Sequence, residues 1–429
     1  MKKNFSIIRK SIFLLIGFLV AGLFLGCQQD PIDITDLNAE KNTVVQNVSL
    51  DGVLDGGALY EIALPEIWSF IPKGQRVLLV YAHGYVDPGK PIVLPSDVIS
   101  DGMGSTIAIK DLIIGANMGY ASTSYRDNGL VVIDAIEDVK ELKMAIDDFF
   151  SHPNNLLLPP PDAIALVGPS EGGLVTVLTI EQNPEMFDAA IATCCPIGNF
   201  YEQLQYYGDA HVLFKFFFGP SINGINLGSP KGVSKHTMNA WNDGSLKTAI
   251  IEELENDYIY NGGNKIRQFL NCANIPANRS DPTAVVTAIL EVLRFPIMAT
   301  NDAIARMGGS PFNNKDEKRI YEGSDDDRKL NLTVERIKRS TWEQAAQNVA
   351  DFYETSGFLL TPLVTMHTEF DHVSFYRHQT YYEAKVTAYS PYPALLIPIK
   401  IDQRYGHCNF TKDEILGAIL SILGSQPSS

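Results

Sequence analysis

The chain has 429 residues, enough for one large core with insertions or for two or three domains. With 45% hydrophobic and 20% charged residues, its composition is globular, which excludes a disordered or fibrous chain. A formal net charge of −16 repels a phosphate backbone and argues against nucleic acid as a partner. A neutral or cationic substrate suits this total better than a polyanion, although local charge at a site can override it.

The first residues read as a targeting segment. Lys2, Lys3, Arg9 and Lys10 form a basic start, Ile12 to Leu25 is apolar apart from glycines, and the run meets Leu25-Gly26-Cys27. The apolar stretch is short for a full bilayer span, although a retained anchor and plain secretion are the competing readings. It resembles a bacterial lipoprotein signal, which implies cleavage before Cys27, lipidation of Cys27 and an exported protein tethered to a lipid bilayer. Phe24 departs from the usual first position of that box. Gln28 to about Thr43, polar and containing Pro31, is then a tether.

From about residue 58, short β-branched runs alternate with helical patterns, as in a mostly parallel sheet wrapped by helices. Arg76 to Ala82 predicts a buried strand, Ser105 to Met118 a helix, and Tyr120 to Tyr125 a second strand. Val132, Ile136, Val139, Leu142, Ile146 and Phe149 recur at steps of three and four, one face of an amphipathic helix. Ala163 to Val167 predicts a strand, Glu171 to Glu181 a helix, and Ala189 to Thr193 a strand. From about Asn199 to Ser356 the patterns are helical, including Asp281-Pro282, which caps a helix over Thr283 to Leu293. The rhythm then resumes with a strand over Leu359 to Met366, a helix over Phe375 to Ala388 and a strand over Leu395 to Ile401. A last helix opens on Thr411 and Glu414 as a capping box. The division is a leader over 1–27, a tether and N-terminal segment over 28–57, a core over 58–198 and 357–429, and a helical insertion over 199–356.

Gly168-Pro169-Ser170-Glu171-Gly172 is a Gly-x-Ser-x-Gly pentapeptide placed between a predicted strand and a predicted helix. Chance supplies the bare letters easily. The placement carries the meaning, because a serine on a sharp strand-to-helix turn exposes its hydroxyl, and Gly168 and Gly172 avoid side-chain clashes there. A serine hydroxyl needs a base, and the base needs an orienting acid. His407 follows the last predicted strand in Arg404-Tyr405-Gly406-His407. Asp371 follows the preceding one in His367-Thr368-Glu369-Phe370-Asp371, with Glu369 and Asp402 as alternative acids. His372 and His378 read as loop or helix-surface histidines. The backbone N–H groups of Glu171 and of Tyr85, in the turn His83-Gly84-Tyr85, are the candidate oxyanion donors. The Glu171 side chain opens a helix, where the dipole stabilises a carboxylate.

These motifs resemble the α/β-hydrolase family over about Ala58 to Leu423. The resemblance implies a largely parallel eight-stranded sheet with helices on both faces, and an acyl-enzyme mechanism run by Ser170, Asp371 and His407. It also implies that the helical insertion is a lid or cap, in which Phe214, Phe216, Phe217 and Phe218 either line a pocket or, as favoured, form the insertion's own core. The chemistry calls for no cofactor and no metal, and the remaining cysteines lack zinc-ligand spacing. The implied substrate is a carboxylic ester, small or polymer-borne; an amidase or aminopeptidase using the same triad is the alternative, and a non-catalytic ligand-binding lipoprotein a third. In the tannase and feruloyl-esterase branch a cysteine before the serine is bridged to one after the histidine. Cys408 follows His407 here, but Pro169 precedes Ser170, so that signature is half present; Cys194 or Cys195, at the end of a core strand, is the alternative candidate to reach Cys408.

Overall fold

A strand covered by helices on both faces must be apolar throughout, as Val77 to Ala82 is within the predicted run Arg76 to Ala82. In the computed structural model, which describes residues 48–423 apart from 156–157 and 316–318, this run lies mid-sheet. Among the described residues one large sheet contains β1 Val48–Val53, β2 Leu59–Leu64, β3 Val77–Tyr81, β4 Gly119–Thr123, β5 Ala163–Pro169, β6 Ala189–Thr193, β7 Leu363–Phe370 and β8 Leu396–Tyr405. Their order is β1-β2-β4-β3-β5-β6-β7-β8. β2 pairs antiparallel with β1 and β4, and every other pairing is parallel. This is the mostly parallel α/β-hydrolase sheet expected from the sequence.

Parallel neighbours need crossovers, and helices supply them. They are α1 Ile109–Gly115, α2 Val132–Ser151 and α3 Glu171–Gln182. The apolar face predicted for α2 is its buried face, Val132 through Phe149. Alternation along β3 divides its side chains between two cores. Leu78 and Val80 join one with α2 and α3, whereas Leu79 and Tyr81 join the other with α1 and the last helix.

Between β6 and β7 lie α4 Phe200–Phe218, α5 Lys235–Asn242, α6 Ser245–Asn261, α7 Asn264–Cys272, α8 Pro282–Met298, α9 Thr300–Arg306, α10 Asp327–Thr333 and α11 Trp342–Phe352. Asp281 caps α8 by accepting from Thr283 and Ala284 N–H, as its sequence predicts. These helices enclose a third core built on Phe214, Phe218, Trp241, Phe269 and Leu293. Phe216 and Phe217 pack against it, so the phenylalanines serve that core. α12 Arg377–Tyr389 and α13 Lys412–Leu423 complete the fold. Thr411 and Glu414 make both bonds of the predicted capping box at α13.

Three expectations need correction. The sheet already includes Val48–Val53, before residue 58; β1 is an edge strand, where residues such as Asp51 face solvent and hide the apolar signal. Ser105 to Met118 is not one helix: Val98–Ser100 and Thr106–Ala108 form a hairpin, and only the seven residues of α1 follow. β7 and β8 start and end later than predicted: after Thr368↔Ile401 the pairing resumes at Phe370↔Tyr405, across a bulge that leaves Glu369 and Asp402-Gln403-Arg404 unpaired. The basic start, the apolar run and Cys27 lie outside the described residues. Among the described residues no single helix is long and apolar enough to cross a membrane.

Candidate active site

Ser170 sits between β5 and α3 at φ 53°, ψ −123°, a conformation that ordinary residues hold only when their surroundings impose it. Its N–H donates to Thr193 O on β6 at 2.8 Å, and its carbonyl accepts from Gly173 and Leu174. A Cβ on Gly168 would lie 2.2 Å from Gly172 O, and one on Gly172 only 2.0 Å from Ala82 O. Both glycines are therefore fixed by backbone packing. The turn holds the serine hydroxyl above the carboxyl ends of the central strands.

Asp371 follows β7 directly and is fully buried. Its Oδ1 accepts the N–H groups of Val373 and Ser374 at 2.8 and 3.0 Å, and its Oδ2 lies 2.8 Å from His407 Nδ1. His407 Nε2 lies 2.9 Å from Ser170 Oγ. A carboxylate only accepts, so Nδ1 carries the proton and the Nε2 lone pair receives the serine O–H. Burial alone would raise the Asp371 pKa; His407 and His367 outweigh it and hold the carboxyl well below its usual range. Burial likewise opposes charging of His407, but Asp371 overcomes this and raises the imidazole pKa.

The base loop is anchored on three sides. Gly406, at φ 104°, receives a hydrogen bond from Thr368 Oγ1 on its carbonyl and donates its N–H to Phe370 O. Cys408 is disulfide-bonded to Cys194, with Cα atoms 5.3 Å apart. Of the two cysteines left open by the sequence, it is Cys194, at the end of β6, that reaches Cys408; Cys195 and Cys272 are buried thiols.

The alternative acids lie elsewhere. Glu369 accepts from Lys400 and Gln403, and Asp402 pairs with Lys400. The turn proposed for oxyanion binding does adjoin the nucleophile: a Cβ on Gly84 would stand 3.4 Å from Ser170 Cβ. Among the described residues no hydrogen-bond acceptor faces the N–H of Tyr85 or of Glu171. The Glu171 side chain opens α3, as expected, but more than the helix dipole acts on it. It is buried and accepts from Val131 N–H at 2.8 Å, and desolvation pushes its pKa up to about 8.

His372 and His378 are not surface histidines, because the insertion packs on them. His378 is fully buried, accepts from Asn199 N–H through Nδ1 and donates through Nε2 to Gln203 Oε1. Burial lowers its pKa to about 3, so it is a neutral connector. His372 pairs with Glu291 of α8.

Sequence reasoning missed His367. Its Nε2 donates to Ser374 O at 2.7 Å and lies 3.4 Å from Asp371 Oδ2, close enough to act on the Asp371 carboxylate electrostatically. The signal was its position four residues before Asp371, inside the motif already singled out. Also unforeseen were Gln203, Tyr206 and Tyr207, at helical spacing on α4, which all donate to carbonyls of His372 or Val373 behind the acid.

No protein-family model matches the chain, and no curated protein sequence does. Solved structures resemble it at low identity. An esterase of Pyrococcus furiosus is 10% identical over 92% of this chain and 97% of its own, with a TM-score of 0.41. A proposed hydrolase of Legionella pneumophila is 13% identical, with 89% of each chain covered and a TM-score of 0.43. An acylaminoacyl peptidase of Pyrococcus horikoshii is 12% identical over 90% of this chain but 43% of its own, with a TM-score of 0.39. The assignment of the fold rests on the strand order, and the reading of the site on its own geometry.

Proposed function

We propose that this chain is a serine hydrolase that cleaves carboxylic esters through an acyl-enzyme. The hydrogen-bonded line Asp371–His407–Ser170, ending on a strained turn, carries the reading. His407 takes the Ser170 proton as Oγ attacks the carbonyl carbon, and the resulting imidazolium is stabilised by Asp371. The N–H groups of Tyr85 and Glu171 receive the developing oxyanion. His407 then gives its proton to the departing alcohol oxygen. Water adds to the acyl-enzyme by the same transfers, releasing the acid and restoring Ser170. None of these steps calls for a metal or cofactor.

An amide would pass through the same steps, so a panel of chromogenic acyl esters and aminoacyl amides separates the two readings. The full chain should turn over esters faster, with Ser170→Ala abolishing the activity; equal ester turnover by Ser170→Ala sinks the proposal. For location, the leader supports a lipid tether at Cys27. The expectation is that the chain partitions into detergent while Cys27→Ser does not, and identical partitioning would refute it.

A further inference from the structure

Against an overall charge of −16, one group of cations stands beside the proposed oxyanion turn. Arg294, on α8, lies over the Tyr85 ring with its guanidinium carbon 5.5 Å from the ring centre. Its Nε donates to Asp87 Oδ1 at 3.0 Å. Among the described residues neither Nη group donates to a protein acceptor, and the side chain is 38% exposed. Asp87, by contrast, is buried. The guanidinium is thus positioned by one edge while the other edge remains open.

Arg294 does not act alone. Lys247 of α6 and Lys90 share the field around Asp87. Burial, the largest influence, lowers the Lys247 pKa; Asp87 opposes it, and Arg294 and Lys90 add to it. The carboxylates around Tyr85 and Arg294 are Asp87, held by Arg294; Glu291, one turn earlier on α8 and held by His372; Asp302, held by Arg306; and Glu171, whose pKa burial pushes up to about 8. The open edge of Arg294 therefore stands among carboxylates that already have partners or a raised pKa.

The path from Ser170 to this group is short and lined with rings. Gly84 touches Ser170, Tyr85 follows it, and Tyr85 packs on Phe295, which stacks on Tyr207 with centroids 4.5 Å apart. Ser170, Tyr85, Phe295, Tyr207 and Arg294 are each only partly buried, so an acyl chain running from Ser170 toward Arg294 would have these rings as its lane. Arg294 and Glu291 are also close enough to bias the proton affinity of His407 in opposite directions.

Resting on the hydrolase reading above, we infer that this lane takes an acyl group whose far end carries a carboxylate, and that the open edge of Arg294 binds it. The planar guanidinium matches a carboxylate in two-point geometry, and Lys247 and Lys90 strengthen the local field. Substrate selection at this site follows local charge and departs from the acidic total.

The test compares mono-p-nitrophenyl adipate with p-nitrophenyl hexanoate, acyl chains of equal length differing in the terminal carboxylate. The full chain should show a higher kcat/KM for the adipate, with the preference declining as salt is added. Arg294→Gln should lower the adipate-to-hexanoate ratio by about tenfold or more, and Arg294→Lys should keep part of it. The ratio is the readout, because Arg294 also touches Tyr85 and a general loss would act on both esters. No adipate preference in the wild type, or an unchanged ratio in Arg294→Gln, overturns the inference. Fluorophosphonate labelling of Ser170 needs no acyl anion. Labelling without adipate preference overturns the anion site alone, whereas absence of labelling overturns the hydrolase reading and the inference with it.

Discussion

At the residue scale the site is governed by what surrounds Asp371. A buried carboxylate is normally pushed toward its neutral form, yet this one accepts from two backbone N–H groups and from His407, has His367 3.4 Å away, and is ionised. His407 therefore holds its proton more tightly than an ordinary imidazole. It acts only when neutral, so kcat/KM should fall as pH drops through a midpoint above the usual histidine value of about 6.5. Asp371→Asn should lower kcat about a thousandfold or more. His367→Gln makes a subtler prediction. Without the His367 imidazole beside it, more of the carboxylate's negative potential falls on His407, whose pKa rises, and the acid limb of the pH profile moves to higher pH. A limb that stays in place or moves lower would show that His367 only packs. The sequence supplied Ser170, Asp371 and His407 through chain order and strand ends. For His367 it offered only a place four residues before Asp371, because a histidine inside a strand looks the same whether it faces a carboxylate or an apolar core.

At the scale of elements, the site is built where β5, β6, β7 and β8 end side by side, and the disulfide ties two of those ends together. Cys194 closes β6, the strand whose Thr193 carbonyl fixes the Ser170 N–H, while Cys408 is next to His407. The bond closes a loop with a sequence separation of 214, so its loss should cost about 2–5 kcal/mol of stability. Cys408→Ser should lower the urea midpoint accordingly and reduce kcat through a looser His407 loop. An unchanged midpoint and rate would show that the hydrogen bonds of Gly406 hold the loop alone. Central elements were legible in the sequence because burial on both faces leaves apolar runs, as at β3 and β6. Edge elements were less so: in β1 the exposed Asp51 breaks the apolar pattern while staying paired, and at the end of β8 Asp402 and Arg404 lie in a bulge of the ladder.

At the scale of the whole molecule, one α/β sheet holds the line Asp371–His407–Ser170, and the helices between β6 and β7 pack around it. Those helices have their own apolar core, yet they also send Gln203, Tyr206, Tyr207, Glu291 and Arg294 onto the loops of the site. Their helical nature was readable from periodicity. Which polar residues meet the site was not, because such contacts join positions far apart in the chain, as Arg294 with Asp87. The central claim is that Ser170 is a live nucleophile within this arrangement. Its most direct test is covalent trapping of the full chain by a fluorophosphonate, with the adduct located by peptide mass spectrometry. The account predicts one adduct, on Ser170, absent in Ser170→Ala and formed far more slowly in His407→Gln. An unlabelled native protein, or equal labelling of Ser170→Ala, would contradict it.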